Sequence, residues 1–196
     1  MEITAAVVKE LRERTGIGMM ECKKALTECD GEIEEAIKLL RKKGYARAEK
    51  RSGRQTSEGL IGSYIHMNGK LGVIVELNCE TDFVAKNKEF GELLKNISMH
   101  IAAANPQYVS SDDIPEKILE EEKEIIGEQF KDSKKPPEII EKITTGKLGK
   151  FYSEVCLLEQ AYIKDDKITI KELISSFIAK TGENVKVARF TRYAIG

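Results

Sequence analysis

A strand, a turn and a second strand are predicted within residues 60–80, Leu60-Ile-Gly-Ser-Tyr-Ile-His-Met-Asn-Gly-Lys-Leu-Gly-Val-Ile-Val-Glu-Leu-Asn-Cys-Glu80. Its first part, Leu60 to Met67, favours a strand, and Asn68-Gly69 is the strongest short signal for a hairpin turn. After the turn, every second residue from Leu71 to Cys79 is apolar, which is typical of a strand with one buried face. The stretch therefore predicts an antiparallel β-hairpin.

Three further elements complete this part of the chain. Residues 87–104 repeat apolar side chains at helical spacing, and Pro106 prevents the helix from continuing. Residues 168–181 predict another helix, which Gly182 ends. The segment Val185 to Ile195 is rich in β-branched and aromatic residues, so we expect it to pair with the hairpin. The predicted fold class is α+β, with a three-stranded antiparallel sheet and packed helices.

Residues 1–44 predict three short helices with a small core of their own. Thr4 is a candidate N-cap of the first helix, and Gly16 supplies its C-terminal stop. The third helix is expected to end at Gly44. Residues 45–57 are basic and polar without an apolar stripe, which predicts a linker. The remaining body would span residues 58–196.

An antiparallel helical hairpin is predicted as an insertion at about residues 114–151. Pro115 suits a helix start, and the pairs Ile118/Leu119 and Ile125/Ile126 repeat seven residues apart. A Lys-rich turn from Lys131 to Pro137 would join the two arms. The pattern predicts a short coiled coil.

Composition and charge exclude several classes of protein. The net charge is −1, so there is no overall bias toward nucleic acid or membranes, although Lys38 to Arg54 is strongly basic. For that stretch a solvated linker is favoured over direct binding of nucleic acid, because it lacks an aromatic stacking platform. No signal peptide or membrane-spanning run is recognised, and the four cysteines match no zinc pattern. These features predict a cytoplasmic protein with free thiols.

Catalytic motifs are missing from the sequence. Without a Gly-rich phosphate loop, the chain is not expected to be a GTPase itself. Its two histidines, His66 and His100, have no second histidine at metal-ligand spacing. On residue type alone, His100 is expected at the surface or rim of a helix, and His66 on an exposed hairpin. The sequence predicts no catalytic residue, no metal site, no cofactor and no enzymatic activity.

Other residues allow two interpretations. Cys22 and Cys29 fit small core hydrophobes better than ligands or nucleophiles. Met19 lies on the apolar face of the second helix, whereas Met20 lies off that face. Either Thr81 or Asp82 caps the following helix while Phe83 joins the core, or Phe83 projects as an anchor for a partner.

Two segments closely resemble the signature motifs of elongation factor Ts. The first is Leu11-Arg-Glu-Arg-Thr-Gly-Ile-Gly-Met-Met-Glu-Cys-Lys-Lys-Ala-Leu26, and the second is Glu76-Leu-Asn-Cys-Glu-Thr-Asp-Phe-Val-Ala-Lys-Asn87. The similarity continues through Met99-His100-Ile-Ala-Ala103 and the closing Val187-Ala-Arg-Phe-Thr-Arg-Tyr193. It spans the whole chain.

The resemblance implies a guanine-nucleotide exchange factor for the translational GTPase elongation factor Tu. Residues 1–44 would be a ubiquitin-associated-like domain, and the body would be the core subdomain with a protruding coiled coil. The segment Thr81, Asp82, Phe83 and Val84 would dislodge magnesium from the GTPase. The resemblance implies further contacts with the GTPase at Lys23, Met99, His100 and His66. Met19 and Met20, as adaptable methionines, are candidates for the same surface.

Longer members of that family carry two related copies of the core subdomain, whereas this chain shows one. A short form in which two chains replace the missing copy predicts a homodimer whose interface involves the sheet. Two alternatives remain open: an adaptor that binds the GTPase without exchange activity, and an RNA-binding accessory protein that uses Lys38–Arg54.

Overall fold

The structure is a computed structural model that describes residues 3–130 and 136–195. It confirms the predicted α+β class and the three-stranded antiparallel sheet. Eight α-helices and five strands lie in the described residues. The elements are α1 (Ala5–Thr15), α2 (Met19–Glu28), α3 (Ile33–Arg51), β1 (Glu58–Ile65), β2 (Leu71–Cys79), α4 (Asp82–Ala85), α5 (Lys88–Ala104), α6 (Glu116–Glu128), α7 (Pro137–Val155), β3 (Ala161–Tyr162), β4 (Asp165–Thr169), α8 (Ile170–Thr181) and β5 (Val185–Ala194).

The order of strands in the sheet is β1-β2-β5, so the strand with the clearest alternation lies in the centre. Val73, Val75 and Leu77 of β2 are fully buried, as the alternation predicts. A Cβ atom on Gly62 of β1 would lie 2.6 Å from Cγ of Leu94 in α5. A glycine at position 62 therefore lets Leu94 of α5 approach the strand this closely.

The turn between β1 and β2 is longer than a two-residue Asn-Gly turn. The amide of His66 donates to the carbonyl of Leu71 at 2.8 Å, and the amide of Gly69 donates to the carbonyl of His66 at 2.7 Å. The side chain of Asn68 accepts from the amide of Lys70. The hairpin is therefore where the sequence predicts it, but Asn68 and Gly69 form part of a wider turn.

The three N-terminal helices pack around a core of their own. The hydroxyl of Thr4 accepts from the amide of Val7, and Gly16 ends α1 in the left-handed conformation, as predicted. The buried residues of this core are Val8, Leu11, Cys22, Ala25, Leu26, Ala36 and Leu40.

The predicted end of the third helix is wrong. Helix α3 continues through Gly44 to Arg51, so the predicted linker is helical as far as Arg51, and only residues 52–57 connect α3 to β1. Gly44 is buried, and a Cβ atom on it would lie 3.0 Å from Cβ of Ala179 in α8. Gly44 therefore provides a close approach between two helices rather than a helix stop.

Helices α6 and α7 form the predicted hairpin, and α7 extends to Val155, beyond the expected end. Ile126 is buried, whereas Ile118 and Ile125 are exposed, so the apolar seam is narrower than the paired isoleucines suggest. The predicted Lys-rich turn lies largely outside the described residues.

The sequence does not predict the short hairpin of β3 and β4, whose strands pair antiparallel. The chain divides into two compact units. Unit 1 contains residues 1–60, 77–93 and 172–186, and unit 2 contains residues 61–76, 94–171 and 187–196. Within the part of the chain that the structure describes, no helix combines the length and apolar character needed to span a membrane.

Candidate partner-binding site

The second signature segment contains a short turn of helix between β2 and α5, and we call its residues Thr81 to Val84 the protrusion. Helix α4 has only four residues, and its N-cap is Thr81, whose hydroxyl accepts from the amide of Val84 at 3.4 Å. Phe83 is 83% exposed, although phenylalanine is among the residues most strongly driven from water. Ala85 is buried and anchors the end of the helix.

Both interpretations of this segment are therefore partly right. Thr81 caps the helix, as the first interpretation holds. Phe83 does not join the core, which contradicts the rest of that interpretation and agrees with a projecting side chain. Capping by Thr81 and exposure of Phe83 are compatible, because the cap joins the hydroxyl of Thr81 to the amide of Val84 and does not involve the side chain of Phe83.

Asp82 lies beside Phe83 and already has a cationic partner. Its carboxylate accepts a hydrogen bond from Nζ of Lys86 at 2.6 Å, one helical turn away. This hydrogen bond holds the pKa of Asp82 below its usual value and raises the pKa of Lys86. Asp82 therefore presents a charged carboxylate at neutral pH.

The base of the protrusion is held by hydrogen bonds to the segment between α8 and β5. The carboxylate of Glu183 accepts from the amide of Thr81 at 3.0 Å and from its hydroxyl at 2.7 Å. A further hydrogen bond has its acceptor on the protrusion side: the carboxylate of Glu80 accepts from the amide of Asn184 at 2.6 Å. Sequence reasoning did not find Glu183 or Asn184, because a partner about a hundred positions away carries no local signal.

Helix α2 of the same unit carries the second half of the first signature and exposes some of its side chains. Met20 is 68% exposed, as expected for its place off the apolar face, and Lys23 is exposed beside it. Met19 is 45% exposed, although it lies on the apolar face of the helix, so it stays a candidate for the binding surface. Cys22 and Leu26 fill the core position instead. Met20, Lys23 and Thr27 line a shallow groove on this surface.

The remaining predicted site residues lie in unit 2. His66 is exposed on the hairpin, as predicted, and its Nδ1 lies 3.1 Å from the hydroxyl of Tyr64. Met99 is half-buried in α5. His100 is fully buried, so the expected surface or rim position is wrong.

The burial of His100 has a clear physical reason. Its Nε2 lies 2.9 Å from Oε1 of Gln160, and its Nδ1 accepts from the amide of Ile163 at 3.3 Å, so both ring nitrogens have partners inside the protein. Burial lowers its pKa, which favours the neutral ring. His100 therefore does not reach a partner directly in this conformation.

Among the described residues, no group of three or more His, Cys, Asp or Glu side chains is placed to hold a metal ion. All four cysteines are free. Burial raises the pKa of Cys79 and of Cys156 to about 11, so both are protonated at neutral pH. The surface has the exposed apolar and charged side chains of a protein contact rather than the donor set of a metal site.

Comparison with known proteins decides the family. The family model for elongation factor Ts matches residues 2–196. Curated proteins named elongation factor Ts from Fervidobacterium nodosum and Syntrophus aciditrophicus are each 58% identical over 196 residues, with 100% of this chain covered and 100% and 98% of theirs. The chain belongs to the elongation factor Ts family. The one from Thermosipho melanesiensis is 55% identical over 194 residues, 99% of both chains.

Family membership agrees with the resemblance that the two signature segments carry. As a family member, the chain is a nucleotide-exchange factor for elongation factor Tu in translation elongation. Elongation factor Tu is accordingly its partner. Each signature includes exposed side chains of unit 1: Met20 and Lys23 on α2, and Phe83 on α4.

Proposed function

We propose that the protrusion of Thr81 to Val84 accelerates GDP release by entering elongation factor Tu and dislodging the magnesium ion that helps to hold the nucleotide. The observation that carries this proposal is the exposure of Phe83, an aromatic side chain held outward on a capped turn of helix. An exposed aromatic on a fixed base is the usual form of an interface anchor.

Exchange of this kind needs no covalent chemistry, so we propose that the chain is not an enzyme and needs no catalytic residue, metal or cofactor of its own. It must bind the nucleotide-free GTPase more tightly than the GDP-bound form, and the affinity of the GTPase for GDP then falls by the same factor. Shifting the GTPase from mostly bound to mostly released needs about 5.5 kcal/mol of differential affinity.

Phe83 does not supply that difference alone. Truncating a buried interface anchor typically costs about 2–4 kcal/mol. We therefore assign part of the contact to Met19, Met20 and Lys23 on α2, which are all exposed. Met99 and His66 are proposed as further contacts from unit 2, whereas buried His100 supports its surroundings and acts indirectly.

Asp82 is proposed to act on the charge around the magnesium ion. Its carboxylate is ionised, and its largest interaction is the hydrogen bond from Lys86. When Phe83 enters the GTPase, this carboxylate would compete for the groups that position the metal. A carboxylate next to a divalent cation is a strong local interaction, so a small displacement has a large effect.

We also propose a homodimer, formed through one face of the sheet. Exposed apolar side chains lie on the face opposite α5: Ile65 lies beside Gly72, and alternation along β2 places Ile74 on the same face. Arg192 donates to the carbonyl of Ala102 in α5, so its neighbour Tyr193 points to the opposite face. A second copy of this chain would cover these side chains.

Direct binding of nucleic acid is not proposed, because half of the basic cluster is paired with acids. Lys38, Lys43, Arg47 and Arg54 form ion pairs with Glu35, Glu28, Glu21 and Glu80, respectively. Most of the cluster lies along α3 rather than in an open linker. We propose a cytoplasmic protein whose partners are elongation factor Tu and a second copy of itself.

The proposed mechanism predicts that the benefit of the factor depends on magnesium. Release of labelled GDP from elongation factor Tu is measured by stopped flow, with and without the protein, in magnesium and in EDTA. We expect the protein to accelerate GDP release strongly in magnesium and much less in EDTA, where the metal is already removed. Equal acceleration in both conditions would refute magnesium displacement. No acceleration in either would favour the non-exchanging adaptor.

A further inference from the structure

We propose that Glu183 is a positioning residue for exchange, which holds the protrusion in its binding-competent conformation. This inference rests on the proposed function of Phe83. Glu183 lies between α8 and β5 and is outside both signature segments. Its role follows from a set of hydrogen bonds that we call the clasp, formed by Glu80, Thr81, Glu183 and Asn184.

The clasp joins two chain segments reciprocally. Glu183 accepts two hydrogen bonds from Thr81, one from the amide and one from the hydroxyl. Glu80, which precedes Thr81, accepts from the amide of Asn184, which follows Glu183. Each acid therefore binds the backbone of the opposite segment, and hydrogen bonds to a carboxylate are stronger than neutral ones.

The hydroxyl of Thr81 connects the clasp to the helix that carries Phe83. Its proton is donated to Glu183, which leaves an oxygen lone pair free to accept from the amide of Val84. Donation to a carboxylate makes the oxygen a better acceptor, so the clasp strengthens the N-cap of α4. Phe83 lies between these two fixed points, Thr81 and Val84.

Asn184 anchors the clasp to the rest of unit 1. It is 3% exposed, and its side-chain amide donates to the carbonyls of Ser52 and Arg54 at 3.2 and 2.9 Å. Arg54 also lies 3.6 Å from the carboxylate of Glu80. Hydrogen bonds and an ion pair thus connect the clasp to residues 52–54. Helix α4, in contrast, has a single buried residue, Ala85.

A four-residue helix with one buried side chain has little intrinsic stability. Without the clasp, α4 would sample other conformations, and the GTPase would have to order it on binding. Ordering a loop during association weakens binding and slows the steps that depend on it. We therefore expect removal of the Glu183 carboxylate to slow exchange through Phe83 rather than through loss of a contact of its own.

The first test measures the motion of the protrusion in the free protein. The chain contains no tryptophan, so Phe83→Trp creates a single tryptophan at the tip, whose emission is excited selectively over that of the six tyrosines. Glu183→Ala and Glu183→Gln are each combined with Phe83→Trp, and the fluorescence anisotropy of the tryptophan is compared. We expect a clear fall in anisotropy for Glu183→Ala and a smaller fall for Glu183→Gln, which keeps one acceptor oxygen. Unchanged anisotropy in both would overturn the proposal.

The matched control is Glu89→Gln, which removes another carboxylate that joins two elements of unit 1. Glu89 pairs with Nζ of Lys180 at 2.5 Å and lies outside the clasp. We expect this variant to keep the anisotropy and the exchange rate of the parent protein. Circular dichroism during heating monitors folding, and Glu183→Gln remains available as the milder variant where Glu183→Ala does not fold. An equal fall in anisotropy for the control would overturn the specific role of Glu183.

The second test is a double-mutant cycle in the GDP-release assay. Glu183→Ala is expected to lower the exchange rate about 5- to 30-fold in the wild-type background and to have little further effect in the Phe83→Ala background. An equal loss in both backgrounds would show that Glu183 acts independently of Phe83 and would overturn the proposal. Failure of the wild-type protein to accelerate GDP release would instead refute the proposed function, and the anisotropy test would still decide the clasp.

Discussion

Phe83 is an aromatic side chain kept in water by the local structure. Burying a phenylalanine side chain contributes about 1.5–3 kcal/mol relative to leaving it exposed, so the free chain gives up that stability at the tip of the protrusion. Under the proposed function, burial of Phe83 against the GTPase would recover this contribution. The side chain would then add free energy to the complex that it does not add to the fold.

The burial of His100 could not be predicted from its neighbours in the sequence. Its neighbours in the sequence describe one turn of a helix, but its partners, Gln160 and Ile163, lie about sixty positions away. No periodic pattern links these positions, so the sequence favoured an exposed side chain. The exposure of Met20 was predictable because it depends only on the face of its own helix.

Burial of His100 predicts a pH dependence of stability. Its pKa is lowered in the folded state, so below the unfolded value of about 6.5 the unfolded chain binds more protons than the folded one. Stability from this group is present above that pH and is lost as the pH falls, with a slope of at most about 1.4 kcal/mol per pH unit.

The measurement is thermal unfolding between pH 7.5 and pH 5.5, where few carboxylates titrate. His100→Gln is expected to flatten the pH dependence and to cost about 1–3 kcal/mol at pH 7, because the partners of the ring are left unpaired. His66→Gln is the control, since His66 is exposed, and should keep the wild-type slope. If stability depended on pH with the same slope in all three proteins, the pH dependence would not arise from His100.

At the scale of elements, the sequence predicted what local patterns encode. The hairpin, α5, α8 and β5 follow from alternation, helical spacing and turn residues, and all are present. The extension of α3 was missed because Gly44 resembles a helix stop, whereas its function depends on Ala179 of another helix. The two-residue strand β3 is too short to give a periodic signal.

Two of the glycines inside helices, Gly44 in α3 and Gly146 in α7, predict opposite responses to larger side chains. A Cβ atom on Gly146 in α7 meets nothing within 4 Å, so Gly146→Ala should stabilise the protein by about 0.5–1 kcal/mol through helix propensity. At Gly44 crowding against Ala179 should offset that gain for Gly44→Ala, and Gly44→Leu should destabilise by about 1–3 kcal/mol. Thermal unfolding monitored by circular dichroism measures all three. Equal stabilisation by both alanine variants would contradict the close approach of α3 and α8.

At the scale of the whole molecule, the sheet leaves one apolar face uncovered in the free chain. Ile61, Ile65, Ile74 and Tyr193 are exposed side chains of its three strands. Contiguous apolar side chains on a sheet are typical of an interface rather than of a free surface. The sequence suggested a dimer through the single copy of the core subdomain, and this face is where we expect the contact.

The dimer predicts a mass of twice 22.0 kDa by light scattering at micromolar concentration. Ile74→Asp places a charge on the uncovered face and should shift the protein toward the monomer. Ile125→Asp is the matched control, because Ile125 is an exposed isoleucine of α6, away from the sheet. A monomer mass for the wild-type protein would reject the homodimer.

The role of Phe83 in exchange is tested most directly by GDP release from elongation factor Tu in the presence of Phe83→Ala. We expect the maximal exchange rate to fall by about 30- to 160-fold, from the loss of an anchor contributing roughly 2–3 kcal/mol, while circular dichroism shows an unchanged fold. Ile125→Ala, which truncates another exposed apolar side chain, should exchange nucleotide at the wild-type rate. If Phe83→Ala released GDP as fast as the wild-type protein, the exposed ring would have no part in nucleotide exchange.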